Sequence, residues 1–155
     1  MNLVVLKKSR RLPRRGDIFV ILPSDGLFLY GRVMSTEAMA GWSMTGCNLI
    51  YIYRPRSREK KSVPELLRGQ LLVAPMMTNN LPWSRGYFES IENRELGPMD
   101  RLPQHCFIDS SGRYFDDQCN QLAEPVEPVG QWGLHSYRTI DDEIWKALDI
   151  PLARD

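Results

Sequence analysis

The sequence predicts an α+β fold that is mainly β: a small curled antiparallel sheet or SH3-like partial barrel, with one or two short helices and a C-terminal helix. Three observations predict it. The stretch GDIFVILPSDGLFLYGRV, residues 16 to 33, holds two apolar runs, Ile18 to Leu22 and Leu27 to Tyr30, joined by a short turn. Further runs rich in β-branched and aromatic residues recur at 48–56, 70–77, 87–92 and 105–118, bounded by Pro, Gly, Ser or Asn. Near the end, Ile140, Ile144, Trp145 and Leu148 recur at the spacing of one helix face.

The elements follow in order. Residues 2–6 (NLVVL) form a possible first strand, and 7–15 (KKSRRLPRR) a solvated basic connector. Two strands then pair across Pro23-Ser24-Asp25-Gly26, where proline presets φ, Asp25 can bond its own backbone and Gly26 supplies a positive φ. A sheet with one wet face alternates apolar and polar residues, and these two strands do not, so both faces should be covered. Gly31, inside the second strand, marks a bulge, a sharp bend or a close backbone approach.

Thr36 to Gly41 reads as one helical turn, and Asn48 to Arg56 as a third strand ended near Pro55. Ser62-Val63-Pro64-Glu65 has the form of a capping box and predicts two helical turns stopping at Gly69. A strand over 70–77 broken at Pro75, a loop over 79–86 and a strand over 87–92 follow. Residues 105–109 pair with 113–118 across Ser110-Ser111-Gly112, and 123–133 form a surface excursion rich in proline and glycine. In the final helix Thr139 is the expected cap, Asp141, Asp142 and Glu143 occupy the first turn, and Pro151 closes the element. Its apolar face is the expected cover for the bent sheet.

A chain of 155 residues suits one domain, residues 1 to 155, and a domain of that size hides roughly 70% of the surface its unfolded chain exposes. The three cysteines, Cys47, Cys106 and Cys119, make no disulfide framework and suit a reducing compartment. No apolar run reaches the roughly 20 residues of a membrane helix, and the start, MNLVVLKKSRR, reverses the order of a signal peptide. The expected location is cytoplasmic, with no membrane partner. The net charge of +1 hides an asymmetry: residues 1–85 carry 14 Lys+Arg against 5 Asp+Glu, and residues 86–155 carry 6 against 14. Unless the halves interleave, the charge is two-sided.

Groups suited to catalysis are sparse. His105 and His135 are the only histidines, neither sits in a nucleophile signature, and the cysteines lack the spacing of a metal site. No phosphate-binding glycine loop occurs. Neither a cofactor nor a metal is expected. An enzyme would need His105 or His135 in a deep polar cleft. The basic segments 7–15 and 54–61 offer a nucleic-acid-binding alternative, although 7–15 lacks interleaved aromatic residues for stacking.

The opening resembles the immunity protein 26 family of bacterial toxin–immunity systems. The resemblance rests on Gly16, Asp17, Phe19, Pro23, Asp25, Gly26, Tyr30, Gly31, Arg32 and Val33, then NLIYIY, LLVAP, Trp83 and Gly86. The segment STEAMAGWSMTGCN is longer than the connection usual in that family. The resemblance implies a mainly β, non-enzymatic antidote that binds one toxin domain made by the same cell or its siblings. It also implies that the motif residues are structural, with Asp17 and Arg32 able to bond across the hairpin. No toxin-binding residue transfers from it. Because many toxin domains are basic nucleases, the acidic second half is the expected docking side, with Glu89, Glu92, Asp109, Asp116 and Asp117 as the residues to test.

Overall fold

The computed structural model describes residues 1–150. Its elements are β1 (Asp17–Ile21), β2 (Leu29–Ala38), β3 (Cys47–Ile52), β4 (Met76–Thr78), α1 (Leu81–Ser84), β5 (Glu89–Asn93), β6 (Cys106–Ile108), β7 (Tyr114–Phe115), β8 (Gln121–Leu122), β9 (Val129–Gln131), β10 (Leu134–His135) and α2 (Tyr137–Leu148). The mainly β expectation with a C-terminal helix matches this order. The strands form two sheets: six strands in the order β10-β4-β3-β2-β1-β5, and four in the order β8-β7-β6-β9. The β10–β4 and β6–β9 pairs are parallel, and the other neighbours are antiparallel.

β1 and β2 form the expected hairpin, with Ile18 opposite Arg32 and Ile21 opposite Leu29. Gly26 takes φ +84° in its turn and donates to the Pro23 carbonyl. The unbroken apolar runs are explained by cover on both faces. Phe19 and Ile21 point, with Leu29, Val33, Ile50 and Ile52, toward Trp83 of α1 and Ile140 and Ile144 of α2. Ile18 and Val20 point the other way and meet Tyr30, Leu6, Leu66 and Ile91. Elsewhere, Met34, Leu49, Tyr51, Tyr53 and Met77 pack with Phe107 of β6 and with Trp132. The helices thus cover one side of the large sheet, and the small sheet covers part of the opposite side.

Gly31 marks a close approach. A Cβ there would lie 2.3 Å from Cζ of Phe19 and 2.8 Å from the Tyr51 carbonyl oxygen. The Phe19 ring is held against Gly31 because it stacks on Phe88 at 4.5 Å and meets Trp83 edge-on at 5.3 Å.

Several local expectations are corrected. Thr36 to Ala38 are the last residues of β2, with Ala38 opposite Cys47 across irregular register, and make no helical turn. Residues 62–69 hold no helix; Leu66 is drawn into the sheet core instead, and a two-turn helix has too few internal bonds to compete. The loop 79–86 contains α1, with a proline in its first turn. The excursion 123–133 contains β9, which pairs in parallel with β6. The 2–6 stretch makes only one bridge, Leu3 to Pro23, and 70–77 retains β4 and a Leu71–Tyr53 bridge. Ser136, not Thr139, caps α2, accepting from the Thr139 N–H at 3.2 Å, and the acids Asp141 and Asp142 lie beyond the first turn. Asp141 is buried and accepts from the Asn2 N–H and the Trp145 indole N–H, both at 3.2 Å. Pro151 lies outside the described residues.

Candidate binding surface

An open cleft of about 640 Å³ lies between the β2–β3 loop and the small sheet. Its floor is Phe115 of β7 stacked on Trp132 at 4.9 Å. Trp132 is placed by its N–H, which donates to the Ile108 carbonyl and continues the β6–β9 pairing. Arg113 lies over the Phe115 ring, 5.6 Å from its centre. Trp42 stands at the mouth and is 78% exposed. The loop that presents it is bonded internally, Met44 N–H donating to the Gly41 carbonyl and Ala40 N–H to that of Met44, and outward through Met39 N–H to the Asp117 carbonyl.

Asp109 lines this cleft and Asp116 stands beside it, and both hold backbone in place. Asp109 accepts from the Ser111 N–H and hydroxyl and from the Arg113 N–H and Nε, all within 2.9 Å. Partial desolvation pushes its carboxyl up, but these donors outweigh it and bring the pKa down to about 2. Asp116 accepts from the Gln118 and Asn120 N–H groups at 2.8 and 2.9 Å. The turn it closes holds Cys119 at φ +63°, a left-handed conformation uncommon outside glycine.

Asp117 lines a second open cleft, of about 510 Å³, with Arg15, Arg101 and Gln118. Its carboxylate bonds His105 Nδ1 at 3.2 Å, while His105 Nε2 lies 2.6 Å from the Tyr51 hydroxyl. That hydroxyl also accepts from the Leu102 N–H at 3.0 Å. All groups are satisfied when Tyr51 donates to Nε2 and Nδ1–H donates to Asp117. Burial raises the Asp117 carboxyl most strongly, but the His105 bond and charge, a backbone hydrogen bond and the Arg101 charge together outweigh it, and the net shift is downward. Both ring nitrogens of buried His105 are therefore hydrogen-bonded within the protein. His135 is also buried, with Nε2 3.3 Å from the Gln131 carbonyl oxygen.

Glu89 and Glu92 lie on β5, at the edge of the large sheet, apart in the fold from the other three acids. Glu92 pairs with Arg94 at 2.8 Å. Glu89 pairs with Lys60 at 3.1 Å and shares a small pocket with Lys7 and Arg11. The two basic segments therefore meet at Glu89, and the two charge halves interleave there and at the Arg15–Asp117 cleft. The connector 7–15 is pinned along α1: Leu6 N–H donates to Gly86, and Ser9 N–H to Trp83.

Asp17 and Arg32 find separate partners. Asp17 accepts from the Arg14 N–H and from Asn93, both at 2.9 Å. Buried Arg32 donates to the Arg94 carbonyl at 2.8 Å and reaches Asp100 at 3.3 Å. Asp17 ties the hairpin to the end of β5 and Arg32 ties it to the segment that follows, a structural role. The profile of the family described as Immunity protein 26 matches residues 14–116, two thirds of the chain. The chain belongs to the immunity protein 26 family. The match reaches past residue 92, where the opening motifs thin out, and includes the β6–β7 hairpin with Asp109, Arg113 and Phe115. No curated protein and no solved structure matches the chain. Among the described residues of this immunity protein 26 member, no helix is long and apolar enough to cross a membrane, and no group of three metal-binding side chains is assembled.

Sequence reasoning singled out Asp109 but missed the cleft it lines. Trp42 carried a signal, a tryptophan between Gly41 and Gly46 in an overlong connection. Arg113 and Phe115 share a strand face two residues apart. Trp132 carried none, because only the parallel β6–β9 pairing brings it to Phe115.

Proposed function

We propose that this chain is an antidote that binds a cognate toxin domain, made by the same cell or its siblings, and blocks it by contact without chemistry. Membership of the immunity protein 26 family carries the reading. The arrangement of the site supports it: a doubly covered sheet and an open aromatic cleft with Arg113 on its floor. Tryptophan and arginine are the residues that dominate protein–protein contacts. Blocking a lethal partner calls for nanomolar binding or better, about −12 kcal/mol, which an interface of roughly 1,600 Å² can supply. We place the encounter in the cytoplasm, where the three free cysteines would stay reduced.

Glu89, Glu92, Asp109, Asp116 and Asp117 remain our proposed acids for steering a basic toxin domain, which we take to be a nuclease. Asp109 and Asp116 must be neutralised by asparagine rather than reversed, since their oxygens hold the turns beneath the cleft. The test is co-expression with the toxin domain encoded beside the gene. Survival of cells with the protein, death without it, and recovery of a complex are expected; death in both cases contradicts the proposal.

One observation favours a second reading. Lys7, Lys8, Arg10, Arg11, Arg14 and Arg15 make no direct ion pair among the described residues, so segment 7–15, with 54–61, offers cations to a nucleic acid. A mobility shift of generic RNA or DNA that weakens steeply with salt would support it.

A further inference from the structure

Resting on the reading of this chain as a toxin-binding protein, we propose that the cleft between residues 39–46 and the small sheet receives an uncharged apolar side chain of the toxin domain. That side chain lies on the Phe115–Trp132 stack and against Trp42, and a main-chain carbonyl of the same segment accepts from Arg113.

Trp42 is 78% exposed, whereas Trp83 and Trp145 are 2% and 3% exposed. Its exposure is built in. Gly41 at φ +156° and Gly46 at φ +68° bracket the loop, and the bonds of Ala40 to Met44, Met44 to Gly41 and Met39 to Asp117 fix its path. The Cys47 thiol adds a contact to the Met44 carbonyl at 3.4 Å. An indole exposed to water on a backbone-bonded loop contributes little to the stability of its own chain, yet it offers a large anchor on binding.

The electrostatics select the occupant. The charged side chains of the lining, Asp109 and Arg113, pair with each other at 2.9 Å, and so the cleft has no net charge to offer. The Asp109 oxygens are saturated by four donors. A cationic occupant would lose its water, find the Asp109 oxygens already taken and meet the Arg113 charge, while the aromatic floor suits an apolar one. Arg113 spends only Nε, on Asp109 and Ser111, and its two terminal nitrogens carry no protein bond. With the charge already neutralised by Asp109, a neutral carbonyl is the matching acceptor. Acid steering and apolar anchoring then act at different stages, the first on encounter and the second on retention.

The experiment titrates the full chain with the toxin domain encoded beside its gene, following tryptophan emission and heat, for wild type, Trp42→Ala, Trp42→Phe and Arg113→Lys. Urea unfolding and sedimentation of each protein alone accompany the titrations. Trp42→Ala is expected to unfold like wild type, to weaken binding on the order of 30-fold or more, and to do so mainly through faster dissociation. Trp42→Phe should retain most of the affinity and Arg113→Lys should lose part of it. The Trp42→Ala loss should persist in high salt. Wild-type affinity in Trp42→Ala, alongside a wild type that binds, overturns the cleft assignment and leaves the antidote reading standing. A self-associated wild type that Trp42→Ala turns into a monomer with unchanged toxin affinity assigns the cleft to a second copy and overturns the proposal. No binding by wild type overturns both readings.

Discussion

At Gly31 a single missing methyl group decides whether two layers of the core can meet. The Phe19 ring occupies the space a side chain would need, and Phe88 and Trp83 prevent it from withdrawing. Gly31→Ala should therefore destabilise the protein by about 1–3 kcal/mol, read as a lower urea midpoint. The Tyr51 hydroxyl is a second such point. Tyr51→Phe would strand the Leu102 N–H and His105 Nε2, costing about 1–3 kcal/mol by the same measurement. Asp109 gives a pH signature. Its folded pKa of about 2 lies below its ordinary 3.8, so its contribution is fully present above about pH 4 and is lost as pH falls from there through 2. Asp109→Asn should flatten the pH dependence of stability in that window, checked by urea unfolding across acid pH. A single sequence marks Gly31 as special, because glycine inside a strand asks for a reason. It cannot say that Phe19 is the reason, since the contact depends on which strands pair.

Elements show where local signals win and where distant contacts override them. The final helix was legible from its apolar spacing, and Ile140, Ile144 and Trp145 are buried as that spacing requires. Its start was not, because Ser136 and Thr139 are both good caps and the choice rests on where β10 releases the chain. Ser136→Ala should lower stability by about 0.5–2 kcal/mol, and Thr139→Ala by less, by thermal unfolding of the two variants. The capping box at Ser62 to Glu65 pointed to a helix that does not form. Leu66 gains more against Ile18, Val20 and Tyr30 than two turns of backbone bonding would return. Segment 36–38 is strand because β3 continues alongside it through two register shifts. β9 was hidden for a similar reason: Val129 to Gln131 carries no strand pattern of its own, and β6 recruits it from more than 20 residues away.

Across the whole molecule, the charge asymmetry of the sequence does not become two clean faces. Lys7, Arg11 and Lys60 surround Glu89, and Arg15 shares a cleft with Asp117. Neutralising Glu89, Glu92, Asp116 and Asp117 together, the proposed acids outside the cleft lining, should slow association with the toxin domain at low salt and change dissociation little, as stopped-flow mixing would show. Because both faces of the large sheet are covered by segments from both halves of the chain, we propose that residues 1–155 unfold as one domain, with circular dichroism and tryptophan emission giving coincident curves. The hairpin and the mainly β class were readable because β-branched and aromatic runs and turn chemistry are local. The cleft was not, because Trp42, Phe115 and Trp132 come from three segments joined only by sheet pairing. The account as a whole is tested most directly by titrating the activity of the purified toxin domain with this protein. It predicts that activity falls linearly to zero at one equivalent, and that the toxin separated from the complex has unchanged mass and full activity. Loss of toxin activity at a small fraction of an equivalent, or a chemically altered toxin, would contradict it.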